Sequence, residues 1–106
     1  MLADPVAPDL NALDKQKRAE FLLDMTILGD ALLEVTGAYR INYDILGNLD
    51  PALHAHVIPR YLTEPEAMRR GPLWLYDKAV RDSVKFDYDR DKELIRQIGD
   101  AVRRRL

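Results

Sequence analysis

The chain has 106 residues, 47% of them hydrophobic, no cysteine, and eighteen acidic against sixteen basic side chains for a net charge of −2. This describes one small α+β-sized domain with a single core that a partner subunit would help to stabilise, and it excludes disulfide frameworks, thiolate metal sites and binding of nucleic-acid polymers by broad phosphate neutralisation. No apolar run reaches membrane-spanning length and the first residues lack a signal-peptide pattern, so the expectation is a soluble cytoplasmic protein that makes no use of a membrane.

Residues 1–13 carry Pro5 and Pro8 and little periodicity, which reads as an extended lead-in with a short strand remnant near Met1 to Ala3. From Asp14 the period becomes helical. Asp14 can cap a helix in which Phe21, Met25, Leu28, Leu32 and Val35 recur at three- and four-residue steps, with Leu22, Ile27 and Leu33 broadening the apolar face and Gly37 as the stop.

A strand follows from Tyr39 to Leu46, with Tyr39, Ile41, Tyr43 and Ile45 on its apolar face. Gly47-Asn-Leu-Asp-Pro51 is rich in turn formers, and Leu53 to Ile58 reads as a second strand, so the two form an antiparallel hairpin whose ladder Pro59 ends. Beyond Tyr61 clear period is lost through Pro65, Gly71 and Pro72. The Leu73-Trp-Leu-Tyr76 run there is expected in a loop that packs its aromatics on the sheet or on a second subunit, a reading preferred to one in which Trp74 and Tyr76 stack on a base. A last helix is expected from Asp89 or Asp91 to Arg104, with Leu94, Ile95, Ile98 and Val102 as its apolar stripe. The basic pairs and triplets at Arg69-Arg70 and Arg103 to Arg105 read as solvated ends of elements.

The only two histidines, His54 and His56, stand two residues apart on the second strand, so both imidazoles point to one face and can act on one bound group. Gly47 and Asn48 precede the turn, where a backbone amide and a side-chain amide can hold an anion over the rings. A neutral imidazole is a nucleophile toward phosphorus, and a second, protonated one stabilises charge on phosphoryl oxygens, which points to phosphoryl or nucleotidyl transfer. The alternatives are a structural or surface histidine pair and a chelating pair for zinc or copper; chelation needs a third ligand, and only Asp44 and Asp50 are near in sequence. Arg60 could steer phosphate, but a strand end with its guanidinium on the surface is the preferred reading.

The run from Ile41 to Tyr61, with Asn42, Gly47-Asn48, His54-Ala-His56 and Val57-Ile-Pro-Arg60, resembles the signature of the histidine triad superfamily, a His-x-His-x-His motif followed by two apolar residues and often Pro-Arg. A weaker likeness extends back over the Asp14 to Gly37 helix, so about half the chain is covered. The resemblance implies an α+β fold in which a long helix packs on an antiparallel sheet, commonly as a homodimer. It implies that His54, matching the middle histidine, attacks the α-phosphate of a nucleotide or dinucleoside polyphosphate to give a covalent nucleotidyl-histidine. His56, matching the last, contacts phosphate oxygens and assists the leaving group, while Gly47, Asn48 and Asn42 match phosphate-proximal groups. No cofactor is expected. Ala52 stands where the first histidine belongs, which reduces the triad to a dyad and removes a support of the nucleophile's hydrogen-bond network. Proteins of this superfamily also carry strands ahead of the long helix, so the resemblance implies a nucleoside pocket that this chain only partly supplies. A catalytically weak nucleotide-binding or interaction protein of the same fold is the alternative to a hydrolase or transferase.

Overall fold

A computed structural model describes all 106 residues. The first regular helix, α1, runs Lys15–Thr36. Its start is fixed by the Asp14 carboxylate, which accepts the Lys17 amide at 2.8 Å, and its end by Gly37 at φ 68°, whose amide reaches back to the Leu33 carbonyl. Phe21, Met25 and Leu32 are buried as the period predicts. Leu28 and Val35 are only half-buried, and Leu22 and Leu33 face solvent rather than broadening the buried stripe.

Gly29 explains part of that shift. It is buried because the Tyr43 ring lies across it: a Cβ there would stand 2.0 Å from Tyr43 Oη and 2.9 Å from Cζ. Gly29→Ala would gain about 1 kcal/mol in helix propensity but force the ring away, a strain of about 1–3 kcal/mol, so the net expectation is a loss. In urea unfolding the loss should shrink in a Tyr43→Leu background, which removes the obstructing ring.

Strands β1 (Arg40–Asp44) and β2 (His56–Arg60) form the expected antiparallel hairpin, with Asn42 opposite Ile58 and Asp44 opposite His56. Both strands differ from the expected spans, β1 being shorter and β2 lying later in the chain. The lead-in is the cause. Leu53 and Ala55 pair with it instead of with β1: Ala3 donates to the Leu53 carbonyl at 3.1 Å, the Ala55 amide donates to the Met1 carbonyl at 2.8 Å, and Leu2 bridges His54. The extended run 53–60 thus changes partners midway. Pro59 does not end the ladder; it lies opposite Ile41, a place in the alternating antiparallel pattern where its missing N–H is not required.

The same pairing builds the core. Ala3, Leu53 and Ala55 pack with Phe21 and Met25 of α1, and Leu10, Leu13, Ile45 and Val57 close around them. Each fully buried Phe or Leu there contributes about 2 kcal/mol. Residues 62–76 are not a plain loop: they contain α2 (Glu66–Arg69) and a 3-10 turn at Leu73–Leu75, followed by α3 (Lys78–Ser83). Such short turns are too brief to leave a helical stripe in the sequence.

Helix α4 spans Tyr88–Arg103 and is capped by Asp87, whose carboxylate accepts the Arg90 amide at 2.9 Å. It packs on α1, where Ala31 and Ala101 are wholly inaccessible. Ile98 and Val102 are half-buried, whereas Leu94 and Ile95 remain exposed. Arg104 and Arg105 are not simply solvated: both pair with Glu34 of α1, which holds that carboxyl below its ordinary range. No helix is long and apolar enough to cross a membrane.

Candidate functional site

His54 and His56 share the face of the extended run opposite the core, because Leu53, Ala55 and Val57 take the other face. Their rings meet edge to face with centroids 5.1 Å apart. His54 Nδ1 lies 2.7 Å from the Ala52 carbonyl oxygen. A carbonyl can only accept, so this contact places the proton on Nδ1 and leaves the Nε2 lone pair bare. The tautomer is therefore set by the backbone of Ala52, whatever side chain that residue carries.

Beside His54 lies a cavity of about 210 Å³ bordered by Gly47, Ile45, Ala52 and the Pro8 to Asn11 turn. Gly47 has φ 87°, a left-handed conformation in which a side chain would be strained. Asn48, next to it, is exposed and outside the cavity lining. Gly47 and His54 thus border one space, while the Asn48 amide stands at its outside.

Trp74, whose 3-10 turn brings it back over the hairpin, places its ring edge to face with His56 at 5.4 Å. Its indole N–H donates to Asp44 Oδ2 at 2.8 Å, and the Arg81 guanidinium sits 5.6 Å from the indole centroid. Packing of the aromatic run on the sheet was legible in the sequence; the contact with His56 and the arrival of Arg81 were not. Trp74 stood out in the sequence as an aromatic that could stack on a base but was expected to pack instead, and Arg81 gave no signal.

Arg60 departs most from expectation. Its guanidinium is not on the surface: the residue is 2% exposed. It donates to Asn42 Oδ1 and to the Gly71 carbonyl, both at 2.6 Å, to the Met68 carbonyl at 3.0 Å, and to both oxygens of Glu64. Glu64 also accepts the Tyr61 amide and the Tyr76 hydroxyl, each at 2.8 Å. Asn42, expected near phosphate, thus has its oxygen engaged by a buried cation. The network ties β1, β2 and the segment carrying Trp74 into one piece.

The Arg60 hydrogen bonds, reinforced by the Tyr61 amide and opposed by burial, hold the Glu64 carboxyl down at about 2. A folded pKa below the unfolded value contributes stability above the unfolded pKa, lost as pH falls toward the folded one. Glu64 should therefore contribute about 3 kcal/mol at neutral pH that disappears between about pH 4.5 and 2. Urea midpoints measured across that window should fall steeply for the native chain and less steeply for Glu64→Gln.

No group of three or more His, Asp or Glu side chains is placed in this chain to hold a metal ion.

This arrangement, a long capped helix on an antiparallel hairpin with two histidines on the outer face of the run 53–60, matches the fold of solved histidine triad proteins. The crystal structure of a histidine triad protein from Sinorhizobium meliloti 1021 superposes with a TM-score of 0.74 at 26% identity, covering 89% of this chain and 65% of that one. A histidine triad protein from Bradyrhizobium japonicum gives 0.76 at 24% identity over 92% of this chain and 69% of that one. One from Marinobacter aquaeolei VT8 gives 0.74 at 22% identity, over 92% and 66%. The chain thus spans about two thirds of the length of these structures. No protein-family model and no curated protein matches it.

Proposed function

We propose that the chain is a nucleotide hydrolase or nucleotidyl transferase that works at an α-phosphate through a covalent histidine intermediate. The observation that carries this reading is the contact between His54 Nδ1 and the Ala52 carbonyl, which frees Nε2 for attack. In the first displacement the Nε2 lone pair forms a bond to phosphorus while the bond to the leaving group breaks, and the leaving group departs with its electron pair and takes a proton from His56. In the second, water attacks the same phosphorus, gives its proton to His56 and returns the electron pair to Nε2, releasing a mononucleotide. The Gly47 amide and the Asn48 side chain stabilise the phosphoryl oxygens, where charge builds in the transition state; Asn42 contributes through its amide nitrogen, its oxygen being held by Arg60.

The exposed Leu94 and Ile95 on α4 fit a second copy of the chain as partner. The cavity beside Ala52 favours a second reading, in which a nucleotide binds but turns over slowly because the space of a missing ring is unfilled. Incubation with adenosine 5′-phosphoramidate and diadenosine tetraphosphate separates the two. Release of AMP supports the enzyme, whereas saturable nucleotide binding without AMP supports the binding protein.

A further inference from the structure

Four groups form a continuous row across the site: His54, His56, Trp74 and Arg81, with successive separations of 5.1, 5.4 and 5.6 Å. The row's outer end has a fixed geometry. Trp74 is held by its hydrogen bond to Asp44, and Arg81 by donation from Nε to the Tyr76 carbonyl at 3.1 Å. Arg81 has no carboxylate partner, and its two terminal nitrogens make no hydrogen bond within the protein. Arg60, Arg70, Arg90, Arg96, Arg103, Arg104 and Arg105 are each paired with an acid, whereas Arg18, Arg40, Arg69 and Arg81 are not, and of these four Arg81 is the one set against the Trp74 ring. Trp74 is 41% exposed, so part of its π surface is open beside that free cation.

We infer that Trp74 and Arg81 form the subsite for the leaving group and that it selects a planar, anionic one, such as the nucleoside polyphosphate half of a dinucleoside polyphosphate. This rests on the reading of His54 as nucleophile and His56 as the proton donor to the leaving group. The phosphate chain of a group departing past His56 runs along this end of the row to the guanidinium, and its base, at the far end of that chain, turns back onto the open part of the indole. An aromatic base stacks on the indole, and phosphate oxygens accept from the terminal nitrogens of Arg81. Asp44, opposite His56 in the hairpin, has an oxygen engaged by the indole N–H, and it makes no ion pair with Arg81. A small amine leaving group touches neither Trp74 nor Arg81.

The test compares two substrates that share the adenylyl half. Arg81→Met, which keeps the aliphatic stem, should lower kcat/KM for diadenosine tetraphosphate about tenfold, chiefly through KM, and leave adenosine 5′-phosphoramidate within about twofold. Equal losses on both substrates, or no loss on either, overturn the subsite. Because Trp74 is the only tryptophan, its fluorescence reports the same place without turnover. ATP, the leaving half, should quench it in the native chain and bind about tenfold more weakly to Arg81→Met. Quenching of this kind with no turnover of either substrate keeps the subsite and defeats the nucleophile reading. Turnover of both substrates with no dependence on Arg81 does the reverse.

Discussion

Arg60→Met should cost about 3–5 kcal/mol of folding stability and bring the urea midpoint far below that of the native chain. The substitution removes a guanidinium that is 2% exposed and strands the Glu64 carboxylate, 14% exposed, together with the Gly71 and Met68 carbonyls. Breaking one side of a buried ion pair costs about 3–5 kcal/mol, a large share of the 5–15 kcal/mol that holds a typical domain together. Lysine cannot repair the loss, because one ammonium group cannot reproduce the guanidinium fork that serves Asn42, Gly71, Met68 and Glu64 at once. The double change Arg60→Met with Glu64→Leu should recover part of the stability, since it removes the orphaned charge as well. Urea unfolding followed by circular dichroism checks all three variants. A single Arg60→Met variant as stable as the native chain would show that the network contributes nothing.

His54→Gln should reduce AMP release by at least about 10³-fold, the scale of loss seen when the nucleophile of a covalent mechanism is removed. Stability should change little, because the ring is only half-buried and its face is not the core face. Ala52→Gly is the informative companion. It retains the carbonyl that accepts from Nδ1, so turnover should stay within a few-fold of the native value. A large loss in Ala52→Gly with an intact fold would mean that the alanine methyl, rather than the peptide carbonyl, matters to the nucleophile.

Local chemistry made α1 legible: Asp14 and Gly37 mark its two ends in sequence and in structure. The hairpin and the one-faced histidine pair were legible for a similar reason, since strand alternation alone puts Leu53, Ala55 and Val57 opposite His54 and His56. The boundaries of the strands were less so. They depend on competition between β1 and the lead-in for residues 53–55, and pairing partners distant in sequence leave no periodic trace. The strand remnant at Met1 to Ala3 was anticipated; its consequence for β2 was not.

Arg60 was misplaced because the general preference of arginine for the surface holds only where no acid and carbonyls converge to satisfy it. That convergence is created by α2 and the following turn, elements too short to announce themselves. Trp74 reaches His56 through the same segment, so its contact with the histidine was hidden for the same physical reason, although the residue itself stood out in the sequence. Gly29 is a smaller instance. A glycine within a helix gives no sign that an aromatic ring from a neighbouring strand will occupy its missing side chain.

The central claim is that His54 Nε2 becomes covalently bound to phosphorus, and the most direct measurement is mass spectrometry of the protein quenched during turnover of diadenosine tetraphosphate at neutral to alkaline pH, where phosphorus–nitrogen bonds to histidine survive. An adenylyl group on the peptide containing His54, absent in His54→Gln, is the predicted result. AMP release with no protein-bound adenylyl group at any time during turnover, or an adduct located on His56 instead, would contradict it.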